Sequence, residues 1–374
     1  MFTILSLYII CFIFCIAIEK ARTPSRQGPL IFLCLLYLSL VSGTRLVGGS
    51  DFATYEGHYM ALSTFPDVLN PDNVNKHYEI GYTYIASFFK TIGLSFYGFC
   101  LIHACFFYFC LWKGIRRYTS HFGIVILIFL YKLFFYNTMI SMRQSLTIAL
   151  FFLTLPLIEE KKWIKYYVTT FFISTIHNGA LLLFLIYPLI YMPMSKNIVR
   201  LLNFIFIPTF FIGMAGIDVL EPIGRFLQSN ATSDVMSNKA ASYFESENLS
   251  PIGIFHTLEY FVIMICFYSG IKRFDFHDPK VKLSVIMFLC LLPLFTLLRG
   301  SEILTREKDY FTIFYAVIIG MLIDRFPRRK LEYYVFVTVL CAYGYYRFVN
   351  LFDRGAFLDY HSWLFNPYYS FFNI

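Results

Sequence analysis

The chain is broken into apolar blocks of about 15–20 residues that carry almost no charge. Each block is long enough to cross roughly 30 Å of hydrocarbon as a helix. They fall at about residues 2–18, 30–44, 94–112, 121–139, 143–158, 201–219, 253–271, 281–298, 309–323 and 332–350. A longer stretch, residues 164–192, is interrupted by His177-Asn178-Gly179, and residues 79–92 form a weaker, aromatic-rich segment. No water-soluble core absorbs this pattern: 58% of residues are apolar and 14% charged, which leaves too little polar surface to cover the rest. Ten-residue segments of period-two alternation, the sign of an outer-membrane barrel, are missing. The expectation is an all-α, polytopic membrane bundle of about ten to twelve segments, a single membrane domain over residues 1–374.

Charge placement sets its orientation. The net charge of +8 resembles a nucleic-acid signal until the positions are read. The majority of the 31 lysines and arginines fall in six connections: Lys20 to Arg26, Lys113 to Arg117, Lys161 to Lys165, Lys196 to Arg200, Lys272 to Lys282 and Arg325 to Lys330. Basic loops stay on the cytoplasmic side, so no nucleic-acid partner is expected. All six can be cytoplasmic only if residues 164–192 go out and return. That predicts a hairpin with His177 at its outer tip and both chain ends outside. The outer loops are then 45–78, the turn near 139–143, the 177 tip, 220–252, 299–308 and the tail from 351. The opening residues lack a basic region ahead of the apolar run, so the first helix is expected to stay in the membrane.

The nine cysteines lie inside apolar runs with no CxxC pair and read as small hydrophobes rather than zinc or redox ligands. No GxxxxGK[ST] loop is present, so no nucleotide site is expected.

Charges outside the basic loops carry the chemical information, because an ion near hydrocarbon is costly. Arg45, Arg143, Arg299 and Arg306 each stand at the outer end of a span. Snorkelling or a local ion pair would account for any one of them. As a set they suit an anionic lipid, since a guanidinium fork binds phosphate oxygens bidentately. Asp51, Tyr55 and His58 follow i, i+4, i+7 and share one face if helical; an interfacial helix with a wet polar face is the alternative. Glu79 and Tyr82 are one turn apart, a pairing fitted to sugar recognition and equally to a membrane interface. Arg143-Gln144 opens a span. His177, which breaks an apolar run, is either a satisfied hydrogen-bonder or a proton acceptor. Arg299, Glu302 and Arg306 form a stripe that is either a binding face or a salt-bridge ladder.

These residues, in this order, resemble the EpsG family of Wzy-type polymerases. The resemblance rests on Arg45, Gly48, Asp51 and Tyr55; Glu79-x-Gly81-Tyr82; Arg143-Gln144; His177 with Ala180 and Leu181; Arg306 and Tyr310; and Pro367-Tyr368. It spans nearly the whole chain. In this chain Gly49-Ser50 intervene before Asp51, which departs from the family's spacing.

The resemblance implies a GT-C-like inverting glycosyltransferase in the bacterial inner membrane. Such an enzyme moves a growing glycan from its polyprenyl diphosphate onto an incoming lipid-linked repeat unit, building O-antigen, capsule or exopolysaccharide. His177 or Asp51 would act as base and Arg143 would stabilise the leaving diphosphate. Arg45, Glu79, Tyr82, Arg299, Glu302 and Arg306 would bind substrate. It implies no cofactor and no metal, and as partners the lipid-linked oligosaccharide, membrane lipid, and a flippase and chain-length regulator. The rivals are a lipid-linked glycan flippase, a C-type transferase using a polyprenyl-monophosphate sugar, and an acyltransferase.

Overall fold

A computed structural model describes residues 4–21, 23–46, 51–70, 72, 78–229, 254–298, 304–324, 331–352 and 360–372. Its elements are helical; the described residues form no strand beyond two isolated bridges, Arg45 with Ser362 and Leu94 with Phe372. Among the described residues, seven helical segments are long and apolar enough to cross a membrane: Pro24–Gly43, Phe96–Tyr118, Phe122–Ile140, Met142–Glu159, Lys196–Met214, Ile254–Arg273 and Pro279–Leu297. The chain is a multi-pass helical membrane protein. Other expected spans are present as shorter or more polar helices.

The chain divides into two compact units, Met1–Tyr187 with Ile323–Ile374, and Pro188–Leu322. The first unit contains α1 (Ile4–Lys20), α2 (Pro24–Gly43), α3 (Phe52–Ala61), α4 (Ile80–Thr91), α5 (Phe96–Ile115) and α6 (Phe122–Phe129). Then come α7 (Met142–Glu159), α8 (Trp163–Ser174), the short α9 (Ile186–Leu189) and, late in the chain, the helix Leu331–Phe352. Helix α6 runs on as an 11-residue π-helix, Leu130–Ile140. The second unit holds α10 (Lys196–Met214), α11 (Glu221–Ser229), α12 (Ile254–Gly270), α13 (Pro279–Leu297) and most of α14 (Asp309–Ile323), so Leu331–Phe352 is α15. Of the expected outer loop 220–252, α11 is described and the remainder lies outside the described residues.

Local chemistry fixes the helix ends. Pro24 opens α2, where a missing N–H costs nothing, and Ser95 caps α5 by accepting from the Gly98 N–H at 3.1 Å. In α2 and at its C-terminal cap, the hydroxyls of Ser39, Ser42 and Thr44 each donate to the carbonyl four residues back at 2.7 Å. These three hydroxyls are thereby satisfied within the helix rather than left bare to hydrocarbon. Gly43 lets α2 press on α5: a Cβ there would lie 2.7 Å from the Leu101 Cα.

The two ends of the first unit differ. At one end Arg117 pairs with Glu159 at 2.5 Å, the Arg116 guanidinium donates to the Pro24 carbonyl at 3.3 Å, and His121 lies between Glu19 and Asp324 at 2.6 and 2.8 Å. This is the end to which the first unit's basic connections, Lys20 to Arg26, Lys113 to Arg117 and Lys161 to Lys165, belong. At the other end the short helices α3 and α4 pack together. Lys90 clamps them by donating to the carbonyls of Tyr59, Met60 and Leu62. The tail crosses the same end: the Leu46 N–H donates to the His361 carbonyl, the Trp363 N–H to Thr44, and the Ser95 N–H to Phe371, all within 3.0 Å.

The 164–192 stretch forms the expected hairpin. α8 ends at Ser174, the chain turns through His177, and a 3₁₀ segment, Asn178–Leu185, runs back along α8. The Tyr166 hydroxyl donates to the Leu183 carbonyl at 2.7 Å and Tyr167 stacks on Phe184. The tip therefore sits at the end of the first unit opposite that unit's basic connections.

Candidate functional site

Three segments distant in sequence meet at that tip. Glu79 is the last extended residue before α4, Arg143 is the second residue of α7, and His177 is the bend of the hairpin. Their meeting depends on Gly81. Its N–H donates to the Thr175 carbonyl at 2.9 Å, and a Cβ at this position would stand 2.8 Å from the same oxygen. Only a residue without a side chain brings the start of α4 this close to the hairpin.

Glu79 is the centre of the cluster. Its Oε1 accepts from the Asn178 N–H and lies within reach of His177 Nδ1, each at 3.2 Å. A carboxylate only accepts, so Nδ1 carries the proton and Nε2 is the basic nitrogen. The other carboxylate oxygen pairs with Nη1 of Arg143. Burial pushes the Glu79 carboxyl upward; the His177 bond and the Arg143 charge outweigh it and hold the group down at about 2. The cluster remains open to its surroundings, with 25% of the Arg143 side chain and 22% of the His177 side chain exposed.

Aromatic rings support the guanidinium. Arg143 Nε donates to the Tyr55 hydroxyl at 3.4 Å, and its carbon lies 4.7 Å from the centre of the Tyr78 ring. His58 stacks on Tyr78 at 3.9 Å. Burial, then the Arg143 charge, holds the His58 imidazole down at about 4, which keeps it neutral.

The other residues read from the sequence have different surroundings. Tyr55 and His58 do share a face of α3, and both are buried against Tyr78 and Tyr82. Asp51 precedes α3, half-buried, its carbonyl accepting from the Tyr55 N–H. Tyr82 is 1% exposed and packs among Tyr55, Tyr78 and Phe99. Arg45 is 3% exposed; it donates to the Ser42 carbonyl and covers the Phe52 ring. Arg306 belongs to the second unit, in the 3₁₀ turn Leu304–Lys308, while Arg299 and Glu302 lie outside the described residues. Of the two outer arginines described in the first unit, Arg45 and Arg143, Arg143 is the one in this cluster. Tyr78 was missed by sequence reading. Its place one residue before Glu79 was the available signal.

The fold and site define a class: a multi-pass helical membrane protein with a partly exposed Arg–Glu–His cluster opposite its basic end. The chain belongs to the EpsG family, whose model matches residues 30–368, and it is accordingly a membrane protein of polysaccharide synthesis, from a family associated with glycosyltransferase-like polymerases. No curated protein and no solved structure matches the chain.

Proposed function

We propose that this protein is the polymerase that joins polyprenyl-diphosphate-linked oligosaccharide units on the outer face of the bacterial inner membrane. The observation that carries this reading is Glu79 bridging His177 and Arg143. One carboxylate thereby fixes a proton acceptor and an anion-binding group side by side. The cluster lies opposite the first unit's basic connections, and since the positive-inside tendency keeps those in the cytoplasm it favours the outer face for the cluster.

The chemistry follows from the groups present. The acceptor sugar's hydroxyl oxygen attacks the anomeric carbon of the glycan on its lipid carrier, and a new C–O bond forms there. The bond from that carbon to the diphosphate breaks, and its electron pair leaves with the diphosphate. His177 takes the hydroxyl proton on Nε2. Glu79, bonded at Nδ1, holds the ring in the tautomer that can accept and stabilises the imidazolium that forms. Arg143 stabilises the negative charge growing on the departing diphosphate. A single displacement inverts the anomeric centre. Orientation by Glu79 favours His177 over Asp51 as base. The reading needs no metal or cofactor, and its partners would include a flippase that delivers the units and a regulator of chain length.

The test is a purified reaction with lipid-linked repeat units in proteoliposomes. His177→Ala is expected to leave folded protein that makes no long glycan, and Arg143→Ala to leave single units on the carrier. An unchanged polymer length profile in both variants overturns the proposal.

A further inference from the structure

A cleft of about 620 Å³ lies between α1 and α15, at the end of the first unit away from the Arg–Glu–His cluster. Tyr8, Phe12 and Ile16 form one wall, Val337 and Cys341 the other, and Leu127 of α6 the floor. Near its upper end the Tyr8 hydroxyl donates to the Cys341 carbonyl at 3.0 Å, and Ala342 and Tyr345 line it there. Its lower end reaches Glu19, Lys20 and Tyr333 at the basic end of the bundle. From Tyr8 to Lys20 a helix rises about 18 Å, close to the depth of one leaflet of a roughly 30 Å hydrocarbon layer. Ile9 and Tyr334, on its rim, are 47% and 52% exposed, so the cleft opens sideways to lipid. An apolar space of this kind stays dry and fills with hydrocarbon, which restores the dispersion contacts an empty cleft forfeits.

The polar end of the cleft meets two charged side chains, Glu19 and Lys20. Both Glu19 oxygens are engaged: Oε2 with His121 Nδ1 at 2.6 Å and the Tyr333 hydroxyl at 3.2 Å, Oε1 with the Ile124 N–H at 3.4 Å. Lys20 is exposed beside them and, among the described residues, is the cationic side chain lining the cleft. We propose that this cleft is a binding site for one anionic glycerophospholipid of the cytoplasmic leaflet, with an acyl chain between α1 and α15 and its phosphate at Lys20. The length and polarity of the cleft select this lipid over the polyprenyl carrier. The carrier's diphosphate would sit at the Arg143 end, whereas this cleft has its cation at the other end. The inference does not depend on the polymerase reading.

Native mass spectrometry of the full chain, purified in detergent and offered single lipids, tests it. One phosphatidylglycerol is expected to stay bound under conditions that strip phosphatidylcholine. Lys20→Ala should weaken that retention about fivefold, the effect of one cation near an anionic headgroup, and Lys20→Arg should preserve it. Ala342→Trp, which fills the cleft, should abolish it. Phosphatidylglycerol retained equally by Ala342→Trp, or by Lys20→Ala, overturns the site. So does retention of polyprenyl phosphate in preference to phosphatidylglycerol. If Ala342→Trp does not give folded protein, the comparison of Lys20→Ala with Lys20→Arg decides alone.

Discussion

His177 Nδ1 lies 3.2 Å from Glu79 Oε1, and the same carboxylate's second oxygen pairs with Arg143. A neutral amide at residue 79 keeps the shape and loses the charge that stabilises an imidazolium. Glu79→Gln should therefore lower kcat by roughly 100-fold or more, since the matching change in a Ser-His-Asp triad costs about 10⁴. KM for the lipid-linked unit should move little. Steady-state kinetics in proteoliposomes separate this from a structural defect, which would reduce the active fraction without a consistent kcat effect in the folded protein.

Arg143 and His177 should fail differently. Loss of a general base costs about 10²–10⁴ in rate, so His177→Ala should depress kcat alone. Arg143→Lys keeps the charge and removes the fork that reaches both Glu79 and the Tyr55 hydroxyl. It should raise KM as well as lower kcat. A lysine variant with wild-type constants would count against a role in binding diphosphate.

Gly81 gives a prediction of another kind. A methyl group there meets the Thr175 carbonyl, which is backbone and cannot swing aside. Gly81→Ala should cost about 1–3 kcal/mol of stability, the usual price of overpacking, and should move Glu79 off His177. Activity should then fall further than the thermal midpoint implies. Unchanged activity would mean the α4–hairpin contact is not what sets the cluster.

Acid should act through Glu79. Its carboxyl is held at about 2, against an ordinary 4.5. A lowered folded-state value means the stabilisation is fully present above about pH 5 and fades as pH falls toward 2. At most about 3 kcal/mol is at stake. The unfolding midpoint of the detergent-solubilised protein should fall over that window, and Glu79→Gln should flatten this part of the profile.

What the sequence made legible was what hydropathy and charge encode. Spans such as residues 94–112 and 281–298 match α5 and α13 to within a few residues, because a bilayer imposes length and polarity on each segment separately. The 164–192 hairpin followed from counting basic loops. The site was legible in its members and not in its wiring. Glu79 was paired with Tyr82 by helical spacing, yet α4 turns Tyr82 into an aromatic layer with Phe99 while Glu79, just outside the helix, faces the hairpin. Arg45 reads as a rim cation, but the tail crossing near Thr44 and the Phe52 ring cover it. Contacts between segments about 64 and 98 residues apart leave no periodic trace.

The side of the membrane on which the cluster works can be measured directly. Asn178 follows His177 at the hairpin tip, and its side chain is not the group that meets Glu79; the bond is from its backbone N–H. Asn178→Cys, in a chain with the nine native cysteines replaced, should therefore keep the cluster and place a thiol beside it. An impermeant maleimide added to intact spheroplasts should label that thiol, while a cysteine at Lys161, on the basic side, should react only after the membrane is opened. If the 178 thiol reacts only in opened vesicles, the hairpin tip is cytoplasmic. Proton transfer from an acceptor sugar outside the cell would then have to be carried by a different residue, however well His177 and Glu79 are aligned.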